Sequence, residues 1–92
     1  MNVKQWDAVR TLADKRGIAG NSIPRGTLGV VVEVLGRPPA EGYLVDVALT
    51  DPMLVGGQRY DSVILHPHEF EAGEDVEEEW VRTHPPPSNS AL

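Results

Sequence analysis

The sequence predicts an all-β fold, a small antiparallel barrel, from three observations. The chain has 92 residues, and its hydrophobic content of 40% includes only 5% aromatics, so the core must consist mainly of Val, Leu and Ile, which favour strands. Two apolar runs, residues 27–35 and 43–49, flank a turn rich in Gly and Pro. The predicted strands are also short and few, which favours a barrel over a sandwich of about seven strands.

The first half of the chain contains two predicted strands and a long loop. Residues 6–12 are predicted to form the first strand, and residues 13–26, with charges, Gly, Asn and Pro, a long surface loop. Four apolar residues at alternate positions then give the strongest strand pattern, and we expect them to face the core. They are Leu28, Val30, Val32 and Val34.

The second half begins with the partner of that strand. Residues 36–42 form the predicted turn, after which four alternating residues are expected on one apolar face: Tyr43, Val45, Val47 and Leu49. A second loop over residues 50–58 leads to a strand at residues 59–65. The run His66-Pro67-His68-Glu69-Phe70 interrupts that strand, and a single helical turn fits it.

The charge divides the chain into two parts. Residues 1–68 carry seven basic and seven acidic side chains, whereas residues 69–92 carry seven acids and one arginine, so the net charge of −6 lies in the tail. We predict a barrel over residues 1–71 and an acidic, Pro- and Ser-rich, partly disordered tail over residues 72–92. Within the tail, residues 76–81 fit a short helix or strand docked through Trp80 and Val81. The last eight residues are expected to be disordered.

Composition also excludes several functions. The absence of cysteine excludes disulfides, thiolate catalysis and cysteine-based metal sites. The N-terminal residues lack a hydrophobic signal core, and no apolar run approaches the roughly 18 residues of a membrane span, so we expect a cytoplasmic protein without a membrane partner. The acidic tail repels phosphate backbones, which disfavours nucleic acid as a partner.

Three runs of the sequence resemble known small barrels. They are residues 6–10, residues 24–34 and residues 43–47, and together their order resembles the bacterial family catalogued as domain of unknown function 4926. The first two runs are also similar to the SH3-like domain of the nitrile hydratase beta subunit. This resemblance implies an SH3-like barrel. In nitrile hydratase the metal is held by cysteines of the other subunit, so hydratase activity is not implied for this cysteine-free chain.

No catalytic residue, metal site or cofactor is predicted. Asp7, Asp61 and His66 lack a nucleophile signature, and such aspartates more often accept backbone hydrogen bonds from a neighbouring loop. His66 and His68, with Glu69 beside them, form the only cluster with metal-ligand chemistry in the sequence. The proline between the two histidines favours an ordinary strand end.

Two sets of residues are candidates for binding. The first is a mixed basic and aromatic surface, with a solvated loop as the alternative: Trp6, Lys15, Arg16, Arg25 and Tyr43. The second set is acidic and consists of Glu77, Glu78 and Glu79. Its negative charge either attracts a basic surface of a partner or serves only to keep the protein soluble.

The sequence therefore predicts a non-catalytic protein-binding module, for example a toxin-neutralising or enzyme-accessory protein, whose partner has a basic surface. Two alternatives stay open. One is a nucleic-acid-associated barrel of the KOW or Tudor type, and the other is a structural subunit of a nitrile-hydratase-like enzyme.

Overall fold

The computed structural model describes residues 3–84, which contain seven strands, a 3₁₀ turn and one helix. The strands are β1 (Ala8–Thr11), β2 (Lys15–Arg16), β3 (Ser22–Ile23), β4 (Leu28–Leu35), β5 (Gly42–Thr50), β6 (Gln58–Leu65) and β7 (Phe70–Glu71). The 3₁₀ turn covers Pro67–Glu69, as predicted, and helix α1 covers Glu74–Thr83.

Five strands form one curled antiparallel sheet in the order β6-β5-β4-β1-β7, and β2 and β3 form a separate two-stranded hairpin. This architecture confirms a small fold built mostly from β-strands. Within residues 3–84, no helix has the length and apolar character needed to cross a membrane.

The core side of β5 is as predicted. Tyr43, Val45 and Val47 are at most 2% exposed, and Leu49 is partly buried at the end of the strand. The ring of Phe70 packs edge-on against Tyr43 with a centroid distance of 5.2 Å. The alternation of apolar residues along β5 therefore identified the face that lines the core.

The prediction of which face of β4 lines the core is wrong. Val31 is fully buried and Gly29 is buried beside it, whereas Val30 and Val32 are partly buried and Val34 is 43% exposed. Gly29 lies opposite Val47, where an added Cβ would be only 2.6 Å from a methyl group of Val45. The close approach of β4 to β5 thus requires glycine on the inner face, and a β-bulge follows between Val31 and Glu33.

The predicted surface loop at residues 13–26 contains the β2–β3 hairpin and contributes to the core through Ile23, which is 0% exposed. The hairpin loop contacts the outer edge of β6, where the amide of Ile18 donates to the carbonyl of Ser62 at 2.7 Å. This segment therefore covers one end of the sheet.

The acidic segment is helical and belongs to the fold. Its buried anchor is Val76, at 0% exposed, whereas Val81 is 59% exposed and Trp80, half-buried, stacks on His84 at 3.8 Å. Of the two predicted docking residues, Val81 is therefore wrong because it is exposed, Trp80 is partly buried, and the fully buried residue of the helix is Val76. The disorder expected for residues 85–92 lies outside the described residues.

Candidate functional site

One member of the predicted aromatic and basic set, Tyr43, does not lie on the surface. Tyr43 is 1% exposed in the core, and its hydroxyl donates to Glu41 Oε2 at 2.7 Å. Burial, together with this bond to Glu41, raises the pKa of Tyr43. Tyr43 is thus removed from the binding candidates, because the alternation of β5 points it inward.

The other members of this set differ in how much of them is accessible. Trp6 is 66% exposed, with a left-handed φ of 77°, and its amide donates to the carbonyl of Val31 at 2.6 Å. Lys15 forms an ion pair with Glu69. Arg16 and Arg25 are exposed, and Arg16 donates to the carbonyl of Gly20 at 2.8 Å.

Two of the three acidic candidates make contacts within the fold. Glu77 Oε2 accepts the amide proton of Ala8 at 2.7 Å, and Glu79 pairs with the guanidinium of Arg10. Arg10 also donates to Glu71 Oε2 at 2.9 Å, and its hydrogen bonds to the carboxylates of Glu71 and Glu79 raise the pKa of Arg10. Only Glu78 is exposed. Two of the three residues of the predicted acidic binding set are therefore part of the contact between α1 and β1.

The two histidines lie side by side without a ligand set. The rings of His66 and His68 are nearly parallel, with centroids 6.3 Å apart. Glu69 accepts the backbone amide of His66 at 2.9 Å and pairs with Lys15. Burial alone would raise the pKa of Glu69, but these two contacts lower it overall. Within residues 3–84, no group of three or more potential ligands could hold a metal ion.

Asp61 connects the β2–β3 hairpin loop to β6. Its carboxylate accepts the amides of Ala19 and Asn21 at 2.9 and 3.1 Å and the side-chain amide of Asn21 at 2.9 Å. The backbone bond from Ala19 is the largest cause that lowers the pKa of Asp61 from 3.8 to about 2. A Cβ at Gly17 would overlap this carboxylate, so glycine is needed there. As predicted for such aspartates, its contacts are structural.

The turn between β5 and β6, residues 51–57, is hereafter the hairpin tip, and it exposes three consecutive apolar side chains. Met53 is 88% exposed, Leu54 40% and Val55 fully exposed. Arg59 donates twice to Asp51 Oδ2 at 3.0 and 2.7 Å, which closes the base of the turn and lowers the pKa of Asp51.

Backbone bonds hold the hairpin tip in shape. The amide of Asp51 donates to the carbonyl of Gly57 at 2.7 Å, and the amide of Gly57 donates to the carbonyl of Leu54 at 2.9 Å. Gly56 and Gly57 have φ values of 88° and 72°, a conformation that side chains disfavour. The apolar residues are therefore presented by an internally bonded turn.

A cleft of about 530 Å³ opens on the outer face of the same hairpin, hereafter the outer-face cleft. The residues that matter to its chemistry are Ile18, Leu44, Asp46, Tyr60, Asp61 and Ser62. Ile18 and Tyr60 are 69% and 72% exposed, so apolar surface again faces solvent. The outer-face cleft and the hairpin tip therefore both lie on the hairpin formed by β5 and β6.

Sequence reasoning missed both features. The tip had a signal, because three consecutive apolar residues between an Asp-Pro and a Gly-Gly pair are unusual in a polar loop. The outer-face cleft had no such signal in the sequence. It is lined by residues of β5, β6 and the β2–β3 hairpin loop, and that loop lies about 40 residues earlier in the chain.

Comparison with models of protein families, with curated proteins and with solved structures finds no match for this chain. The similarity to the family catalogued as domain of unknown function 4926 and to the nitrile hydratase domain therefore stays a prediction from the sequence. What the chain does must be inferred from its own surface.

Proposed function

We propose that this chain is an SH3-like barrel that acts as a non-catalytic protein-binding module and contacts its partner through the hairpin tip. The observation that carries the proposal is the exposure of Met53, Leu54 and Val55 on an internally bonded turn. Burying these side chains against a partner recovers about 25 cal/mol for each Å² of apolar surface. Because the turn is already ordered, binding costs little conformational entropy.

The order of elements supports the SH3-like assignment. A long loop with its own small hairpin follows β1, and β4, β5 and β6 form a meander. The 3₁₀ turn then leads to β7, which pairs with β1 through Arg10 opposite Glu71. The last strand thus lies beside the first, which extends the curled sheet to five strands with β6 and β7 at its edges.

A protein partner fits this surface better than a nucleic acid or a membrane. The chain has a net charge of −6, which repels phosphate groups and anionic lipid surfaces. Lys15, one of the three basic residues of the predicted mixed basic and aromatic surface, is paired with Glu69. Net acidity also favours a partner with a basic surface. Toxin-neutralising and enzyme-accessory roles both fall within this proposal.

The test compares two variants of the full chain in capture experiments from the native host. The double variant Met53→Ser and Val55→Ser removes the apolar tip, and the control Val81→Ser removes an exposed valine on α1. A protein retained by the parent and the control, and at least tenfold depleted with the double variant, is then purified and titrated directly. Equal retention by all three chains, or equal affinity in the titration, would refute the proposal.

A further inference from the structure

The outer-face cleft carries negative charge beside apolar surface. Two of its lining residues, Asp46 and Asp61, are acidic, and none is Lys or Arg. The Asp61 carboxylate is occupied by donors from the hairpin loop. Asp46 Oδ1 accepts a hydrogen bond from the hydroxyl of Ser62 at 2.6 Å, and within residues 3–84 no donor contacts its Oδ2. Asp46 therefore offers an oriented carboxylate without a cation.

The strand register places apolar groups around this carboxylate. Asp46 lies opposite Ser62 and Ala48 opposite Tyr60, so Tyr60 is a diagonal neighbour of Asp46 on the same face, within reach of a long side chain held between them. The hydroxyl of Tyr60 donates to Gln58 Oε1 at 2.9 Å, which restrains the ring. Ile18 is anchored beside Ser62 by its backbone bond.

We propose that the outer-face cleft receives an arginine side chain of the protein partner. The guanidinium pairs with Asp46, its flat face stacks on the ring of Tyr60, and its methylene groups pack against Ile18. Arginine suits this combination better than lysine because its planar, weakly hydrated cation stacks on aromatic rings and donates directionally to a carboxylate. The inference rests on the proposed function and names the partner's chemistry at this cleft.

The probe is a pair of short acetylated and amidated peptides, Leu-Arg-Leu and its analogue with citrulline, which keeps the shape of arginine without its charge. Each is titrated into the ¹⁵N-labelled full chain, and amide shifts are followed by NMR. We expect saturable shifts at Ile18, Asp46, Tyr60 and Ser62 with the arginine peptide and at least fivefold weaker binding of the citrulline peptide. Equal binding of the two peptides, or shifts centred on α1, would overturn the inference.

Matched variants separate a local contact from general electrostatic attraction. Asp46→Asn and Glu78→Gln each remove one negative charge, the first in the cleft and the second from the exposed side of α1. We expect Asp46→Asn to weaken the arginine peptide about three- to tenfold and Glu78→Gln by less than twofold. Tyr60→Leu, which keeps apolar bulk without the aromatic face, should weaken it about two- to fivefold. Equal effects of the two charge variants would contradict the contact.

The peptide titration needs no native partner, so this inference and the proposed function fail separately. Loss of peptide binding in the Asp46→Asn chain with full retention of the partner would mean that the cleft binds arginine but the partner does not use it. If partner binding depends on the hairpin tip but the chain does not prefer the arginine peptide, the arginine contact in the cleft is refuted and the proposed function stands.

Discussion

The two edges of the sheet use charge in opposite ways. At the edge formed by β1 and β7, acidic side chains are satisfied internally, since Arg10 contacts both Glu71 and Glu79. At the edge formed by β5 and β6, Asp46 has no cation within residues 3–84, and the apolar residues 53–55 face solvent. Within residues 3–84, four of the seven acids of the acid-rich part contact other groups of the fold, whereas the neutral part exposes Asp46 and the apolar residues 53–55.

This difference changes how the net charge of −6 is understood. Glu77 and Glu79 contribute to the net charge, but each is bound to β1, through Ala8 and Arg10 respectively. A carboxylate that already accepts a hydrogen bond within the fold has fewer acceptor sites left for a second molecule. The groups left free for short-range contacts lie instead on β5, β6 and the hairpin tip between them.

The largest effect on stability is expected from a substitution in the core. Val31→Asp places a charge at a position that is 0% exposed, so we expect a loss of at least about 3 kcal/mol in the free energy of unfolding. The control is Val34→Asp on the same strand, where the side chain is 43% exposed and a charge remains hydrated. Urea melts measure both. A Val34→Asp chain less stable than the Val31→Asp chain would mean that the other face of β4 is inside.

The next largest effect on stability is expected at the contact between α1 and β1. Val76→Asp should cost about 1–3 kcal/mol, because the helix can undock and expose the charge at the expense of its buried contact. Val81→Asp is the matched control on the same helix, at a residue that is 59% exposed. Amide hydrogen exchange should rise in α1 for Val76→Asp alone. Unchanged protection in that variant would show that α1 does not depend on Val76.

These contacts also show how far the sequence allowed prediction. The alternation at Tyr43, Val45 and Val47 identified the inner face of β5, because their neighbours include the charged Asp46. On β4 the same method failed, since Val31 lies between two other valines and both faces are apolar. The inner face was decided by the close approach of β5 to Gly29, which a one-strand pattern does not contain.

The candidate sites show the same limit. Apolar residues 53–55 could have been recognised from their loop context alone. In contrast, Glu77 and Glu79 read as free charges because their partners, Ala8 and Arg10, lie 69 residues earlier in the chain. Long-range contacts decide whether a charged residue is structural or available, and local patterns do not contain them.

Asp61 allows a pH test of the β6 edge, with a smaller expected effect. Its folded pKa of about 2 lies below the usual 3.8, so its ionised form stabilises the fold above about pH 4, and this contribution is lost as the pH falls toward 2. Asp61→Asn should lower the melting temperature at pH 7, and the gap to the parent should narrow between pH 4 and pH 2. Glu78→Gln is the control at an exposed carboxylate. A gap that stays constant over this range would contradict the role of Asp61.

The smallest effect on stability is expected at the hairpin tip. Met53→Ser with Val55→Ser should change the free energy of unfolding by less than about 0.5 kcal/mol, because both side chains are largely exposed and contribute little to the core. Asp51→Asn, which weakens the bond that closes the turn, should cost more in the same urea melt although it removes no apolar surface. The tip residues would then be dispensable for folding while the turn that presents them is not, which is the pattern expected of a binding surface. If the serine variant lost stability as Asp51→Asn does, the apolar residues would instead pack against the protein itself, and their exposure would no longer support a partner.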